Sequence, residues 1–301
     1  MQKLNYNHLY YFWMIANEGN LVRAARNLAV SQSSLSTQLK KLEHQLDTAL
    51  FDREGRTLRL TEAGQLTLEY ANKIFGLGNE LCGLLRHNKK NKNTFKIGIV
   101  ASLSRNFVEN FISPLLTNHD IELVIDSGNQ SELLNKLAKY QLDIVLSNHK
   151  PMMSINGTFK TRAIAKQQLS IIGKPLPHDV GFDIKRDLPK HQLLLPSHGT
   201  DVRATFDAYC EKNGLEYEVM SEINDMPAMR LLIRDSSSIA LMPKVVVQDE
   251  IKNGSLQEYC TIPELFEHFY AIHMERHIET GLFNQLFERE DDEILNHANL
   301  H

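Results

Sequence analysis

The stretch with the most legible chemistry lies between positions 31 and 40. Gln32, Ser33, Ser36, Thr37 and Lys40 are short, amide or cationic side chains with few negative charges among them. Such a face is small enough for close approach and carries donors and acceptors for base edges in a DNA major groove. Ser31 sits before them as a helix cap, and Ser34 and Gln38 complete the candidate contact set. A second set, Arg53 and Arg56, flanks Gly55 and suits contacts to backbone phosphate or a minor groove, which add affinity and salt dependence but read no sequence. A third set is polar and small: Ser102, Ser104, Ser127, Gly128, Asn129, Ser147, Asn148, Ser197 and Thr200. Hydroxyls and backbone N–H groups at helix starts suit a small anion; plain helix capping is the other use of the same residues.

These groups need elements to hold them. Leu9, Phe12, Trp13 and Ala16 recur at helical spacing, and Glu18-Gly19 ends that helix. Asn20 caps a short second helix whose inner side is Ala24, Ala25 and Leu28. After a turn at Ala29-Val30, Ser31 opens a third helix in which Leu35, Leu39, Leu42 and Leu46 step by 4, 3 and 4 and form one apolar stripe. The polar set lies opposite. An ordinary amphipathic helix with a solvated face satisfies the same pattern, but the short–turn–long helix pair and the local basic charge favour a DNA-reading helix. The run 50–61 reads as a hairpin with Arg53 and Arg56 at its tip. A further helix from about 63 carries Tyr70, Ile74, Leu77, Leu81 and Leu84 at heptad spacing. Such a seam is built for a dimer partner, with packing onto its own domain as the alternative. It ends in the polar, basic stretch 86–93, suited to a hinge.

Charge is segregated along the chain. Residues 1–92 carry 13 Lys/Arg against 8 Asp/Glu, a net of +5, and the remainder carries 20 against 29, a net of −9. Only the first piece is suited to meet a polyanion. The three cysteines, Cys82, Cys210 and Cys260, are far apart and form neither a disulfide framework nor a zinc motif. The N-terminus does not read as a signal peptide, and no apolar run is long enough to span a membrane. A cytoplasmic protein with no membrane association is expected.

From 95 onward the pattern is α/β. Strands are predicted at 95–100, 121–125 and 142–147, with helices at 105–116 and 132–140. A second lobe follows, with strands at 169–172, 192–195, 217–219 and 238–243 and helices at 202–213 and 226–234. Crossing strands near 159–165 and 262–272 join the lobes. The cleft between them is the expected ligand site, since open parallel sheets bind at the carboxyl ends of their strands. Ser102, Ser104, Ser127, Asn129, Asn148, Ser197 and Thr200 are its candidate effector contacts. His273 and His277, four apart, have the spacing for a metal on a helix, but with no third ligand they read as solvated.

The residues 17–36, Gln38, Leu42-Glu43, Leu50-Phe51, Arg53 and Leu60-Thr61-Glu62-Ala63-Gly64 resemble the LysR-type transcriptional regulators. The match is dense over about the first 70 residues and extends in layout to the whole chain. Within that family, Asn5-Tyr6-Asn7-His8-Leu9-Tyr10-Tyr11-Phe12-Trp13 looks like the subgroup that activates sodium/proton antiporter genes. Phe269-Tyr270, Ala271-Ile272 and Glu275-Arg276 look like the same subgroup. The resemblance implies a winged helix-turn-helix at 1–62, a dimerising linker helix and hinge at 63–92, and a two-lobed effector domain like periplasmic binding proteins at 93–301. Lobe 1 would span about 93–160 and 266–301, and lobe 2 about 161–265. It further implies a homodimer or homotetramer on double-stranded DNA, RNA polymerase as a partner, and a response to a small effector or to sodium. For sodium, Asp126, Asp143, Glu222 and Asp225 offer oxygen ligands at no telling spacing. Two positions on the groove face depart from the common family pattern: Ser33 stands where a proline is frequent, and Thr37 where an arginine is common.

The competing reading is a small-molecule-binding protein or an enzyme on the two-lobed α/β body. No GxSxG, P-loop or GxGxxG motif is present, so no catalytic residue and no cofactor is expected. A plain binding protein leaves the basic N-terminal unit without a use.

Overall fold

In the computed structural model, residues 4–54, 57–86, 93–151, 159–177, 181–274 and 285–296 are described, with backbone alone at 53–54, 57, 79–80, 83–86 and 93. The chain forms two compact units, the first Met1–Asn93 with Ala138–Tyr140 and the second Thr94–Leu137 with Gln141–His301.

The first unit is three helices, a hairpin and a long helix: α1 (Tyr6–Glu18), α2 (Leu21–Asn27), α3 (Gln32–Leu46), β1 (Phe51–Glu54), β2 (Thr57–Leu60) and α4 (Glu62–Arg86). Each boundary has a local cause. Asn5 caps α1, and Gly19 closes it in the left-handed conformation that glycine adopts without a Cβ clash. Asn20 accepts the N–H groups of Val22 and Arg23, and Ser31 accepts that of Ser34. The core joins Leu9, Phe12 and Ile15 of α1, Ala24 and Ala25 of α2, Leu35, Leu39 and Leu42 of α3, and Ala71 of α4. The two alanines let α2 approach its neighbours closely. The leucine stripe ends at Leu42: Leu46, the last helical residue, is 38% exposed. The pairs Phe51↔Leu60 through Glu54↔Thr57 define an antiparallel hairpin closed by two residues.

The second unit is built on one eight-stranded sheet. Its strands are β3 (Asn93–Val100), β4 (Ile121–Gly128), β5 (Ile144–Ser147), β6 (Phe159–Gly173), β7 (Gln192–Leu195), β8 (Glu218–Glu222), β9 (Ile239–Pro243) and β10 (Gln257–Met274). They lie in the order β4-β3-β5-β10-β6-β9-β7-β8. Its helices are α5 (Arg105–Leu116), α6 (Gln130–Ala138), α7 (Ile184–Asp187), α8 (Asp201–Asn213), α9 (Met226–Asp235), α10 (Gln248–Lys252) and α11 (Asp291–Leu295). β3 and β5 are parallel, as are β7, β8 and β9. These two parallel groups form the two lobes.

β6 and β10 pair antiparallel along most of their length and run from one lobe into the other. The two separate strands expected at 159–165 and 169–172 are therefore one strand. One apolar cluster serves both lobes on one side: Phe107 and Phe111 of α5 join Met229 and Ile233 of α9 and Val245–Val247. Arg230 spans the same contact, donating to Asn106 Oδ1 and Glu250 Oε1, both at 2.7 Å, and to Asp249 Oδ2 at 3.1 Å.

Candidate nucleic-acid interface and interlobe site

The polar face of α3 is assembled as its sequence requires. Ser31, Gln32, Ser33, Ser34, Thr37 and Lys40 are exposed, and Ser36 and Gln38 are half-buried beside the leucine stripe. The Thr37 hydroxyl donates to the Ser33 carbonyl at 2.9 Å. Its methyl is thereby turned to a fixed side, and its oxygen remains available as an acceptor. Ser31 and Ser33 share a hydroxyl–hydroxyl contact of 3.1 Å over the first turn, where free N–H groups and the helix dipole favour phosphate.

The elements around α3 are tied to it by specific bonds. Glu43 Oε1 accepts the Leu50 and Phe51 N–H groups at 2.9 and 3.4 Å, fixing the entry to the hairpin. Thr61 donates to the Ala49 carbonyl at 2.7 Å and accepts the Gly64 N–H at 2.9 Å, so it caps α4 and pins it to the α3–β1 connection. A Cβ at Gly64 would come within 2.0 Å of the Leu50 carbonyl oxygen, which explains the glycine. Arg53 lies on β1 with its side chain outside the described residues, and Arg56 lies outside them altogether.

Helix α4 has two apolar faces. Ala71, Ile74 and Phe75 pack into the first unit's core, and Trp13 donates its indole N–H to Asn72 at 2.6 Å. On the other face Tyr70, Leu77 and Leu81 are 58%, 48% and 55% exposed, with Leu66 beside them. The heptad set thus divides: Ile74 turns inward, Tyr70, Leu77 and Leu81 face out, and the Leu84 side chain is outside the described residues.

In the second unit, several of the small polar residues are used as caps. Ser104 is buried and accepts the Phe107 N–H at 3.3 Å. Asn129 accepts that of Glu132, and Thr200 that of Arg203 while donating to Ser197 O. Ser127 is exposed at the end of β4. Ser147 is buried and takes an amide proton from Gln130 at 3.0 Å. Ser102 and Asn148 are different. The Ser102 hydroxyl donates to Asn148 Oδ1 at 3.2 Å, and Asn148 Nδ2 donates to Glu267 Oε1 at 2.8 Å.

Glu267 is absent from the sequence-derived set. It is 4% exposed on β10, and burial pushes its carboxyl up to about 7 against the pull of the Asn148 amide. Its signal in the sequence is parity: it shares the strand face of Phe269 and Ala271, both buried. From the β5 loop, His149 has its pKa lowered by desolvation, and Asp201 at the start of α8 pulls it back up. Asp201 lies in the second lobe.

The four acids considered for sodium have other uses. Asp126 pairs with Lys136, Asp143 accepts the Lys96 N–H, Glu222 meets His198 and Arg203, and Asp225 caps α9. Among the described residues no three His, Cys, Asp or Glu side chains are grouped to hold a metal. His273 lies on strand β10 instead of a helix, and His277 is outside the described residues. No helix among them is long and apolar enough to cross a membrane.

A basic helix-turn-helix unit with a hairpin, followed by two α/β lobes sharing two crossing strands, defines a DNA-binding transcriptional regulator with an α/β effector-binding domain. The chain belongs to the lysR family of bacterial regulatory helix-turn-helix proteins, whose model matches residues 6–65, and the model of the LysR substrate binding domain matches residues 88–289. Transcriptional activator protein NhaR of Escherichia coli (strain K12) is 28% identical over 282 residues, covering 93% of this chain and 92% of that one. The HTH-type transcriptional regulator YusT of Bacillus subtilis (strain 168) is 27% identical over 257 residues, covering 84% and 83%. Among solved structures, a full-length OxyR variant from Pseudomonas aeruginosa superposes with a TM-score of 0.64 at 19% identity, covering 98% of this chain and 96% of that one. ArgP from Mycobacterium tuberculosis superposes with a TM-score of 0.65 at 15% identity, covering 97% of each chain.

Proposed function

We propose that this LysR-family regulator activates sodium/proton antiporter or ion-stress genes in response to a small effector or sodium, acting in the cytoplasm as a homodimer or homotetramer that engages RNA polymerase. The DNA-reading part rests on one observation above others: an exposed, carboxylate-free polar face from Ser31 to Lys40 backed by buried Leu35 and Leu39. In this reading Ser31, Gln32, Ser33, Ser34, Ser36, Thr37, Gln38 and Lys40 contact DNA, and Arg53 and Arg56 add phosphate contacts. The division is a DNA-binding domain at 1–62, a dimerising helix and hinge at 63–92, and an effector domain from 93. The exposed seam of Tyr70, Leu77 and Leu81 supports dimerisation through α4. The antiporter role rests on the likeness to NhaR and on the N-terminal run 5–13. An effector held between the lobes favours one of two lobe arrangements and thereby changes the spacing or bend of bound operator sites.

The test is a gel shift on the region upstream of a neighbouring gene, titrated with salt and repeated with and without sodium. A specific complex is expected, weakening by orders of magnitude between low and physiological salt, as ion release from several phosphate contacts requires. A well-folded protein that shifts no fragment at low salt overturns the reading.

A further inference from the structure

Glu267 and Gln167 are directly opposite each other in the β10–β6 ladder. The strand ends fix where that rung lies. β10 is antiparallel to β5 and pairs Tyr270 with Ser147, the last residue of β5. Glu267 therefore lies just beyond the carboxyl end of β5. β6 pairs Leu169 with Pro243, the last residue of β9, so Gln167 lies just beyond the carboxyl end of β9. Gln167 Oε1 accepts the Val245 N–H there, at 2.7 Å. The rung thus sits where the carboxyl ends of strands from both lobes converge, which is where open α/β sheets take ligands.

The chemistry of that rung is specific. Among the described residues, the hydrogen-bond partner of the Glu267 carboxylate is the neutral Asn148 amide, itself held by Ser102. Burial raises the Glu267 carboxyl, and the Asn148 amide pulls it back down. Tyr270 on β10 feels the Glu267 charge; His268 and its ladder partner Lys166 form the adjacent rung, whose side chains alternate to the other face of the sheet; His149 and Lys150 follow β5. Lys150 lies over the Tyr270 ring at 5.6 Å and Lys166 over the Phe266 ring at 5.4 Å. A buried carboxylate left with one neutral donor is an arrangement that a counter-charge relieves. It repels an anionic effector. A bare hard cation wants several oxygen ligands, and no group of three acids or histidines gathers here among the described residues. An ammonium or guanidinium group brings opposite charge and N–H donors together.

We propose that Glu267, positioned by Asn148 and Ser102, anchors the ammonium or guanidinium head of a small organic effector taken between the two lobes. The inference rests on the reading of the second unit as the effector domain, and it reverses the anion expected from the serines alone. A cation stabilises the ionised carboxyl, so binding tightens as pH rises from 6 to 8.

The experiment is thermal melting of the full-length chain without DNA, in the presence of methylammonium, agmatine or L-arginine. Potassium chloride matches ionic strength, and potassium acetate, potassium glutarate and sodium chloride are separate arms. At least one amine is expected to raise the melting temperature, more at pH 8 than at pH 6. In Glu267→Gln the amine concentration giving half the effect should rise roughly 10- to 100-fold, as for loss of a charge-assisted hydrogen bond. Ser102→Ala should weaken the same response. Glu267→Asp, which keeps the charge but withdraws it by one methylene, serves as the second variant should Glu267→Gln fail to fold, and a weakened response is expected there too. The proposal is overturned if no amine stabilises, if the amine response is unchanged in the Glu267 variants, or if acetate, glutarate or sodium gives the Glu267-dependent shift instead. Specific DNA binding in the gel shift, measured in parallel, shows whether the regulator reading stands when this one fails.

Discussion

At the scale of the residue, the proposed reading face of α3 lets folding be separated from recognition. Ser33 is exposed in the first helical turn, where its carbonyl takes the Thr37 hydroxyl and its own hydroxyl meets that of Ser31. A carboxylate at that position is neutral or favourable for the helix, because it meets the positive end of the dipole. Against the electronegative major groove the same charge is opposed, and like-charge contacts at an interface cost several kcal/mol. Ser33→Glu is therefore expected to leave the circular dichroism spectrum and melting temperature unchanged while weakening operator binding on the order of 100-fold or more. A gel shift with unaltered affinity places the reading face elsewhere. Glu267 is the counterpart in the second unit, a residue whose burial sequence parity implies and whose partners only the fold brings together.

At the scale of the element, α4 carries two demands on 25 residues, about 37 Å of helix. Its Ala71–Phe75 side belongs to the helix-turn-helix core, anchored by the Trp13–Asn72 bond, and the Tyr70, Leu77 and Leu81 side is exposed. The double variant Leu77→Lys, Leu81→Lys places two cations in that seam without touching the first unit's core. With α4 as the proposed dimer seam, it is expected to sediment as a smaller species than the unaltered chain, and to lose roughly 100-fold in operator affinity, since two linked half-site contacts become independent. A variant that stays dimeric moves the interface off α4. The elements themselves are readable where their causes are local: Asn20 and Ser31 as caps, Gly19 as a stop, and the leucine spacing of α3. Reading fails where the cause is distant. Lys166, Gln167 and Gln168 look like the end of one strand and the start of another. In the fold they are the middle of β6, where Gln167 accepts from Val245 and Gln168 donates to the Ile262 carbonyl at 2.9 Å. A strand passing between two lobes tolerates polar side chains that a strand inside one lobe does not. His273 reads as helical for the same reason, since four-residue spacing carries no knowledge of the strand to which Ala271 and Ile272 commit it.

At the scale of the whole molecule, the two lobes of the second unit share one apolar cluster, and a buried carboxyl lies on the crossing strands beside it. Phe107 and Phe111 pack with α9, and Arg230 ties α5 to α10, so the lobes share apolar structure there. At the crossing-strand rung they share instead a carboxyl that is raised from 4.5 to about 7. That shift has a definite consequence for stability. The folded chain holds the Glu267 proton more tightly than the unfolded chain does, so ionisation favours unfolding. The penalty is absent below about pH 4.5, grows as pH rises, and is complete above about 7. That rise corresponds to roughly 3 kcal/mol. Glu267→Gln keeps the Asn148 contact and cannot ionise. Its stability should therefore match the unaltered chain at pH 4.5 and exceed it by roughly 2–3 kcal/mol at pH 8, read from urea unfolding of the second unit's transition by circular dichroism. A stability difference that does not vary with pH would mean that Glu267 ionises over the same pH range folded and unfolded, and so carries no burial penalty. A ligand cation that seats on the carboxylate removes the same penalty. The unaltered chain should then approach the variant's stability at pH 8 when the stabilising amine is present, and the gap that closes measures how much of the effector's binding energy is relief of this one buried charge.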